Sequence, residues 1–352
     1  WLRSQQGNAR DHHGRARNLF VSNSHAAAQA TPGRLLPRVA GATLAVGAAA
    51  AIWGIGIERH LYALRRVEAQ VLPAGAEPIR VLHLADIHMA PWQRRKQRWI
   101  ASLADLEPDL IVNTGDSIGH VDSLRSLRTA FSGFRGIPGL FVHGSNDLYA
   151  PSPRNPFRYF LGPSKRIPRS EKIDPQAMER YYTATLGWTD LNNRADAITV
   201  RGTRIDAFGV GDAHHGLDRI DLVPGMAEEL RHRAAESAES DAPAITLDAP
   251  AITLGVAHAP YRRVLDTFVD NGADVIFAGH THGGQVNIPG VGALVANCDI
   301  PLKQAKGLST WRRSGRRVPL NVSAGIGHSI YAPVRFACRP EATLLTLLPR
   351  EA

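Results

Sequence analysis

Ile79-Arg80-Val81-Leu82-His83-Leu84-Ala85-Asp86-Ile87-His88 sets the pattern on which this chain is built. A short, mostly apolar run rich in branched residues reads as a buried strand. It ends on a carboxylate and an imidazole two residues apart. Positions i and i+2 of an extended segment face the same way, so Asp86 and His88 can grip one ligand together. Four later stretches repeat the design. Asp109–Thr114 runs into Gly115-Asp116, and Gly139–His143 into Gly144-Ser145-Asn146-Asp147. Ile252–Ala257 runs into His258, and Asp274–Ala278 into Gly279-His280-Thr281-His282. In open α/β sheets, ligands bind beyond the carboxyl ends of the strands, so one sheet edge can gather all five blocks.

Each block alone has a bland explanation. An Asp-x-His is common, a Gly-Asp after a strand is usually a turn, and a single His in a core is more often hydrogen-bonded than ligating. Their joint occurrence, each at a strand end, points elsewhere. Asp86, His88, Asp116, Asn146, His258, His280 and His282 form a mixed oxygen and nitrogen set suited to two divalent metals of borderline hardness, such as Mn, Fe or Zn. Asp116 has two oxygens and can bridge them. Two metals about 3.5–4 Å apart activate a water and clamp the oxygens of an in-line displacement at phosphorus. The chemistry expected is hydrolysis of a phosphate ester, with Asp116, Asn146 and His258 nearest the reaction.

These blocks carry a family resemblance. The order D-x-H, G-D, G-N-H-D/E, a single His and G-H-x-H resembles the calcineurin-like metallophosphoesterase superfamily, and the likeness runs from about Ile79 to about Leu348. Gly279–Val286, Ser323–Gly327 and Cys338-Arg339-Pro340-Glu341 are similar to a branch of membrane-linked bacterial phosphohydrolases, some of which cleave UDP-diacylglucosamine. The resemblance implies a four-layer α/β/β/α sandwich with the metals at its rim. It implies that Asp86, His88 and His282 hold one metal and that Asp116 bridges. His258 and His280, with an Asn, would hold the other.

One block departs from the family pattern. Gly144-Ser145-Asn146-Asp147 puts Ser145 or Asn146 at the ligand position and leaves the usual histidine out. An amide cannot donate a proton as a general acid, a role that contributes about 10²–10⁴-fold. A diester or pyrophosphate with a good leaving group would tolerate the loss. Otherwise His214, His215 or His328 would have to approach. The missing histidine also motivates a rival role, a catalytically weak metal-binding protein of the envelope.

Composition bounds the rest. With 44% apolar and 21% charged residues, the 352-residue chain is ordinary globular protein. Residues 1–38 hold six Arg against one Asp, +5 of the formal net charge of +9. The body therefore lacks the basic excess of a nucleic-acid binder. Val39–Ile57 carries no charge over 19 residues, about 28 Å as a helix, close to the hydrocarbon thickness of a bilayer. A single transmembrane helix is expected, with a cleaved signal segment as the alternative. The Arg-rich leader favours a cell-membrane protein whose catalytic domain lies on the extracytoplasmic side.

The expected organisation is a disordered basic tail over 1–38, the span at 39–57, a linker over 58–77, helical at first, and a metallophosphoesterase domain over 78–350. Gln97–Ala104 and Met226–Ser240 read as helices. A Pro-, Arg- and aromatic-rich loop from Pro151 to Pro168 suits an anionic or lipid-like substrate. Asp241–Leu247 is repeated identically as Asp248–Leu254, and the second copy is expected to lead into His258. Cys298 and Cys338 fit a disulfide or two free thiols equally. The partners expected are a phosphorylated small-molecule or lipid substrate and the membrane, and no oligomeric state follows.

Overall fold

The structure, a computed structural model, describes residues 35–151, 173–239 and 251–351. Residues 1–34 of the tail expected to be disordered over 1–38, the loop from 152 to 168 and the first heptapeptide copy, 241–247, lie outside these residues, whereas Leu35 to Arg38 of that tail are helical. Helices among the described residues are α1 (Leu35–Ala51), α2 (Arg94–Ser102), α3 (Leu124–Ala130), α4 (Ser145–Leu148), α5 (Gln176–Arg180), α6 (Val223–Glu239) and α7 (Arg262–Asp270). The chain divides into an N-terminal unit, 1–47, and a body, 48–352. Helical structure runs on from Pro37 to His60, 24 residues, long and apolar enough to cross a membrane. Within it, Ile52–Ile57 is wound as a π-helix and Glu58–His60 as a 3₁₀ turn.

The strands are β1 (Ala63–Leu72), β2 (Ile79–Leu84), β3 (Leu110–Asn113), β4 (Gly139–Phe141), β5 (Thr189–Asp190), β6 (Arg194–Val200), β7 (Thr203–Gly209), β8 (Ala251–Ala257), β9 (Val275–Ala278), β10 (Asn287–Ile288), β11 (Gly292–Ala293), β12 (Gly307–Arg313), β13 (Arg316–Val322) and β14 (Glu341–Pro349). Two mixed six-stranded sheets result, ordered β1-β14-β2-β3-β4-β5 and β12-β13-β9-β8-β7-β6. Strands β2 to β5 run parallel in the first sheet, and β7, β8, β9 and β13 in the second. The five metal-type blocks therefore leave the carboxyl ends of β2, β3, β4, β8 and β9.

Three apolar clusters hold this frame. One joins the sheets, with Val81, Val112 and Leu140 against Ile205, Val256 and Phe277. A second packs the first sheet on Ile100, Leu127 and Tyr182, and a third packs the second sheet on Leu230, Val264 and Phe268.

The segment 58–77, set aside as a linker and expected to begin as a helix, contains β1. Ala63 to Leu72 pairs with β14 over the registers Ala63↔Glu341 to Gln70↔Leu348. Local helix preference yields because β14 offers a complete ladder, and Ala69, Val71 and Leu72 are buried on it. The helix expected at Gln97–Ala104 begins earlier, at Arg94. Of the second heptapeptide copy, Ala251–Leu254 lies in β8, ahead of His258.

Candidate metal centre

Parallel strands end together, so their turns must reverse direction in little space. Five of the polar residues there, Asp86, His88, Asp116, His280 and His282, have positive φ between 43° and 68°. That region costs a side-chain-bearing residue roughly 1–2 kcal/mol, and such strain gathers where function requires it. Backbone hydrogen bonds fix the turns to one another. Asp86 and His88 donate from their amides to the carbonyls of Gly115 and Asp116, both at 2.9 Å. Gly279 permits a close approach, since a Cβ there would lie 2.6 Å from Asp86 Oδ2.

The seven expected side chains meet in this place. Asp86, His88 and His282 present donor atoms within 4.8 Å of one another, and so do Asp86, Asp116 and His258. His88 Nε2 lies 3.4 Å from Asp116 Oδ2, His258 Nε2 3.7 Å from Asp116 Oδ1, and His282 Nε2 3.7 Å from Asp86 Oδ1. His280 Nδ1 is 3.3 Å from His258 Nε2. Asn146 donates from Nδ2 to Asp116 Oδ2 at 2.6 Å, whereas the Ser145 hydroxyl turns to Asp212 at 2.7 Å. Asn146, not Ser145, thus sits against the central carboxylate. Asp147 instead accepts the amides of Asp116, Ser117 and Gly144, which binds the second and third turns together.

The surrounding hydrogen bonds select which imidazole nitrogen faces inward. His258 donates from Nδ1 to the Thr114 carbonyl at 2.8 Å, which turns Nε2 inward. His280 places Nε2 at 3.2 Å from both the carbonyl and the side-chain amide nitrogen of Asn297, which turns Nδ1 inward. His88 and His282 face each other through Nε2 at 3.2 Å. The Arg335 guanidinium donates to the His282 carbonyl at 2.9 Å and lies 3.2 Å from its Nδ1.

The charges are out of balance in a way a cation would correct. Burial, then the neighbouring Asp116, pushes the Asp86 carboxyl up to about 7. Burial, with Asp147 and Asp212 nearby, pushes Asp116 up to about 6. Burial holds His88, His280 and His282 well below the ordinary imidazole value. Burial also opposes charge on His258, but Asp116, Asp212 and Asp86 outweigh it and lift it to about 9. His88, His280 and His282, held neutral, and carboxylates deprived of water are natural ligands of divalent metals, and a bound cation would displace the proton that the carboxylates favour on His258. His88 Nδ1, buried with no partner, marks the same polar demand. The donor set fits two such metals.

The histidines proposed as substitute proton donors divide. His328 points Nδ1 at the Ser329 carbonyl. His214 packs against His280 with ring centres 4.4 Å apart and planes tilted by 43°, and bonds to Tyr261 Oη. His215 bonds through Nδ1 to Asp212, which also takes Ser145. Sequence reading missed Asp212, Arg335, Lys96 and Glu58. Lys96, fully buried, donates to the carbonyls of Ile87 and His88. Glu58 accepts the amides of Ala337 and Cys338 at 3.0 and 2.7 Å, and the Trp53 indole N–H at 2.7 Å. Gly54 accepts the Arg335 amide through its carbonyl. The helix end therefore holds the loop whose Arg335 and Cys338 touch His282. Both cysteines are free thiols.

The model of the calcineurin-like phosphoesterase family matches residues 79–284. The phosphodiesterase YaeI of Escherichia coli (strain K12) is 24% identical over 284 residues, covering 78% of this chain and 84% of that protein. Among solved structures, the NAD nucleotidase NadN of Haemophilus influenzae aligns with a TM-score of 0.42 and 12% identity, over 71% of this chain and 51% of that one. The chain spans about half of that nucleotidase. A dimetal phosphatase from Danio rerio aligns with a TM-score of 0.36 and 9% identity, over 71% of this chain and 88% of that one.

Proposed function

The chain belongs to the calcineurin-like phosphoesterase family and is a hydrolase of phosphoric esters, and from that premise we propose a two-metal phosphodiesterase held at a membrane. Asp86, His88 and His282 would hold one cation and His258, His280 and Asn146 the other, with Asp116 shared. Bound there, two divalent metals supply an activated water and neutralise charge on the phosphate. The protein's own part is geometric. Left-handed turns aim the carboxylates, and the Thr114 carbonyl and Asn297 orient the His258 and His280 rings. The three apolar clusters support a four-layer sandwich as the frame.

The observation that carries the reading is the gathering of seven polar side chains, most of them buried, from five strand ends into one place, with His88, Asn146 and His258 against Asp116. A diester or pyrophosphate is the favoured substrate class. With Asn146 as a ligand, Asp147 takes the place where a histidine proton donor is usual, and its carboxylate is engaged by the Asp116, Ser117 and Gly144 amides, so the leaving group must depart without that help. The similarity to a protein named a phosphodiesterase agrees with this. The apolar helix Pro37–His60 supports a single membrane anchor and, with the family branch, a lipid-linked or nucleotide-sugar substrate, on the extracytoplasmic side.

The test is hydrolysis of an aryl phosphodiester and an aryl phosphomonoester by the full chain with Mn²⁺, in parallel with metal analysis. Two cations per chain and faster diester turnover are expected. A chain that binds no divalent metal, or prefers the monoester strongly, refutes the reading.

A further inference from the structure

A cavity of about 380 Å³ opens where the apolar helix ends, lined by His60, Tyr62, Arg95, Arg98, Trp99 and Arg339. No carboxylate lines it. Arg263 and Arg313 elsewhere pair with Asp218 and Asp270. Arg95, Arg98 and Arg339 have no carboxylate partner among the described residues, and Arg339 bonds only to the carbonyls of Leu61 and Tyr62. Arg59, next to the cavity in sequence, has a buried Nε with no partner. Burial and the charges of Arg59, Arg95 and Lys96 together hold His60 below its usual value, a sign of a concentrated positive field. Tyr62 and Trp99 stack with ring centres 5.1 Å apart, giving the cavity an aromatic wall.

We propose that this cavity binds the phosphate headgroup of an anionic phospholipid. The inference rests on reading Pro37–His60 as a membrane helix. A helix that spans a bilayer delivers its last residue, His60, to the headgroup layer. There Tyr and Trp favour the interface, and arginines recognise phosphate by paired N–H donors. A basic pocket beside a membrane helix is suited to such headgroups, and each cation near the surface adds to the attraction. Position, rather than charge alone, selects a lipid over free phosphate. Helix α2 carries Arg95, Arg98 and Trp99 at the cavity and, between them, Lys96, whose Nζ holds the Ile87 and His88 carbonyls. A headgroup bound here would fix the helix that backs the metal-binding turn, and so orient the site toward the bilayer.

The experiment is calorimetric titration of the full chain in a neutral detergent with monomeric dihexanoyl-phosphatidylglycerol, dihexanoyl-phosphatidylcholine and inorganic phosphate. The glycerol lipid should bind about tenfold more tightly than the choline lipid, and the difference should shrink as salt rises. Arg95→Gln with Arg98→Gln, both at exposed positions, should abolish the difference while leaving aryl diester hydrolysis unchanged. Equal affinity for the two lipids, or selectivity that survives the double substitution, overturns the proposal. Inorganic phosphate binding as tightly as the glycerol lipid overturns the lipid assignment. Two measurements on the same samples separate these failures from failure of the underlying readings. Metal-dependent turnover tests the phosphoesterase alone. A full chain that stays in the aqueous phase without detergent would refute the membrane helix itself.

Discussion

The two sheets bring different chemistry to the same edge. The first contributes Asp86, His88, Asp116 and Asn146, mostly oxygen donors whose carboxyls burial has pushed upward. The second contributes His258, His280 and His282, nitrogen donors only. Neither half could hold a divalent cation well alone. The first would bury charge without relief, and the second offers no negative charge. Their meeting creates the site: Asp116 reaches His88 and Asn146 on one side and His258 on the other, while Asp86 and His88 reach His282.

That contrast orders the substitutions. Asp116→Ala should have the largest effect, lowering diester turnover by about 10³-fold or more while circular dichroism stays native. A milder loss would mean the halves work without their bridge. Next come His282→Ala and His258→Ala, one on each proposed metal. Each should reduce bound metal from two ions to one per chain, measured by elemental analysis, with turnover falling about 10²-fold. Loss of both ions from either variant would show that the halves bind as one unit.

Glu58→Gln tests support from outside both sets. It keeps the shape but weakens the acceptor of the Ala337 and Cys338 amides, so the Arg335 loop should hold His282 less well. Mn²⁺ titration should show about tenfold weaker binding of one ion and normal binding of the other.

The smallest effect is expected at His143, whose Nε2 lies 2.9 Å from Glu179. Burial opposes charge on His143, but the Glu179 bond and Asp147 outweigh it and raise its pKa, while Glu179 is lowered by the same bond. A raised His stabilises fully below its unfolded pKa and loses that contribution as pH climbs through the folded value. The lowered Glu contributes above its own unfolded pKa and loses it as pH falls. The pair therefore helps most between roughly pH 4.5 and 6.5. Glu179→Gln should lower thermal stability only near that window, by under about 1 kcal/mol because the Glu179 side chain is about one-third exposed. A loss of equal size at pH 9 would contradict the pairing.

The strands and the seven polar residues were legible because their signals are local. An apolar run, a Gly and a ligand-type residue sit within ten positions of one another. What escaped notice lies far apart in sequence. Glu58 meets Ala337 and Cys338 across 279 and 280 positions, and nothing near Glu58 announces a buried acceptor. Strand β1 was hidden for the same reason, since its ladder partner is the last strand of the chain. Between Ser145 and Asn146 type gives no choice, because only geometry tells that the Asn146 amide turns to Asp116 and the Ser145 hydroxyl to Asp212.

The carboxylate of Glu58 ties the apolar helix to a loop that touches the site. A cut just ahead of β1 would carry that carboxylate away and leave the Ala337 and Cys338 amides without their acceptor, so the body would lose part of its own scaffolding together with the helix that precedes it.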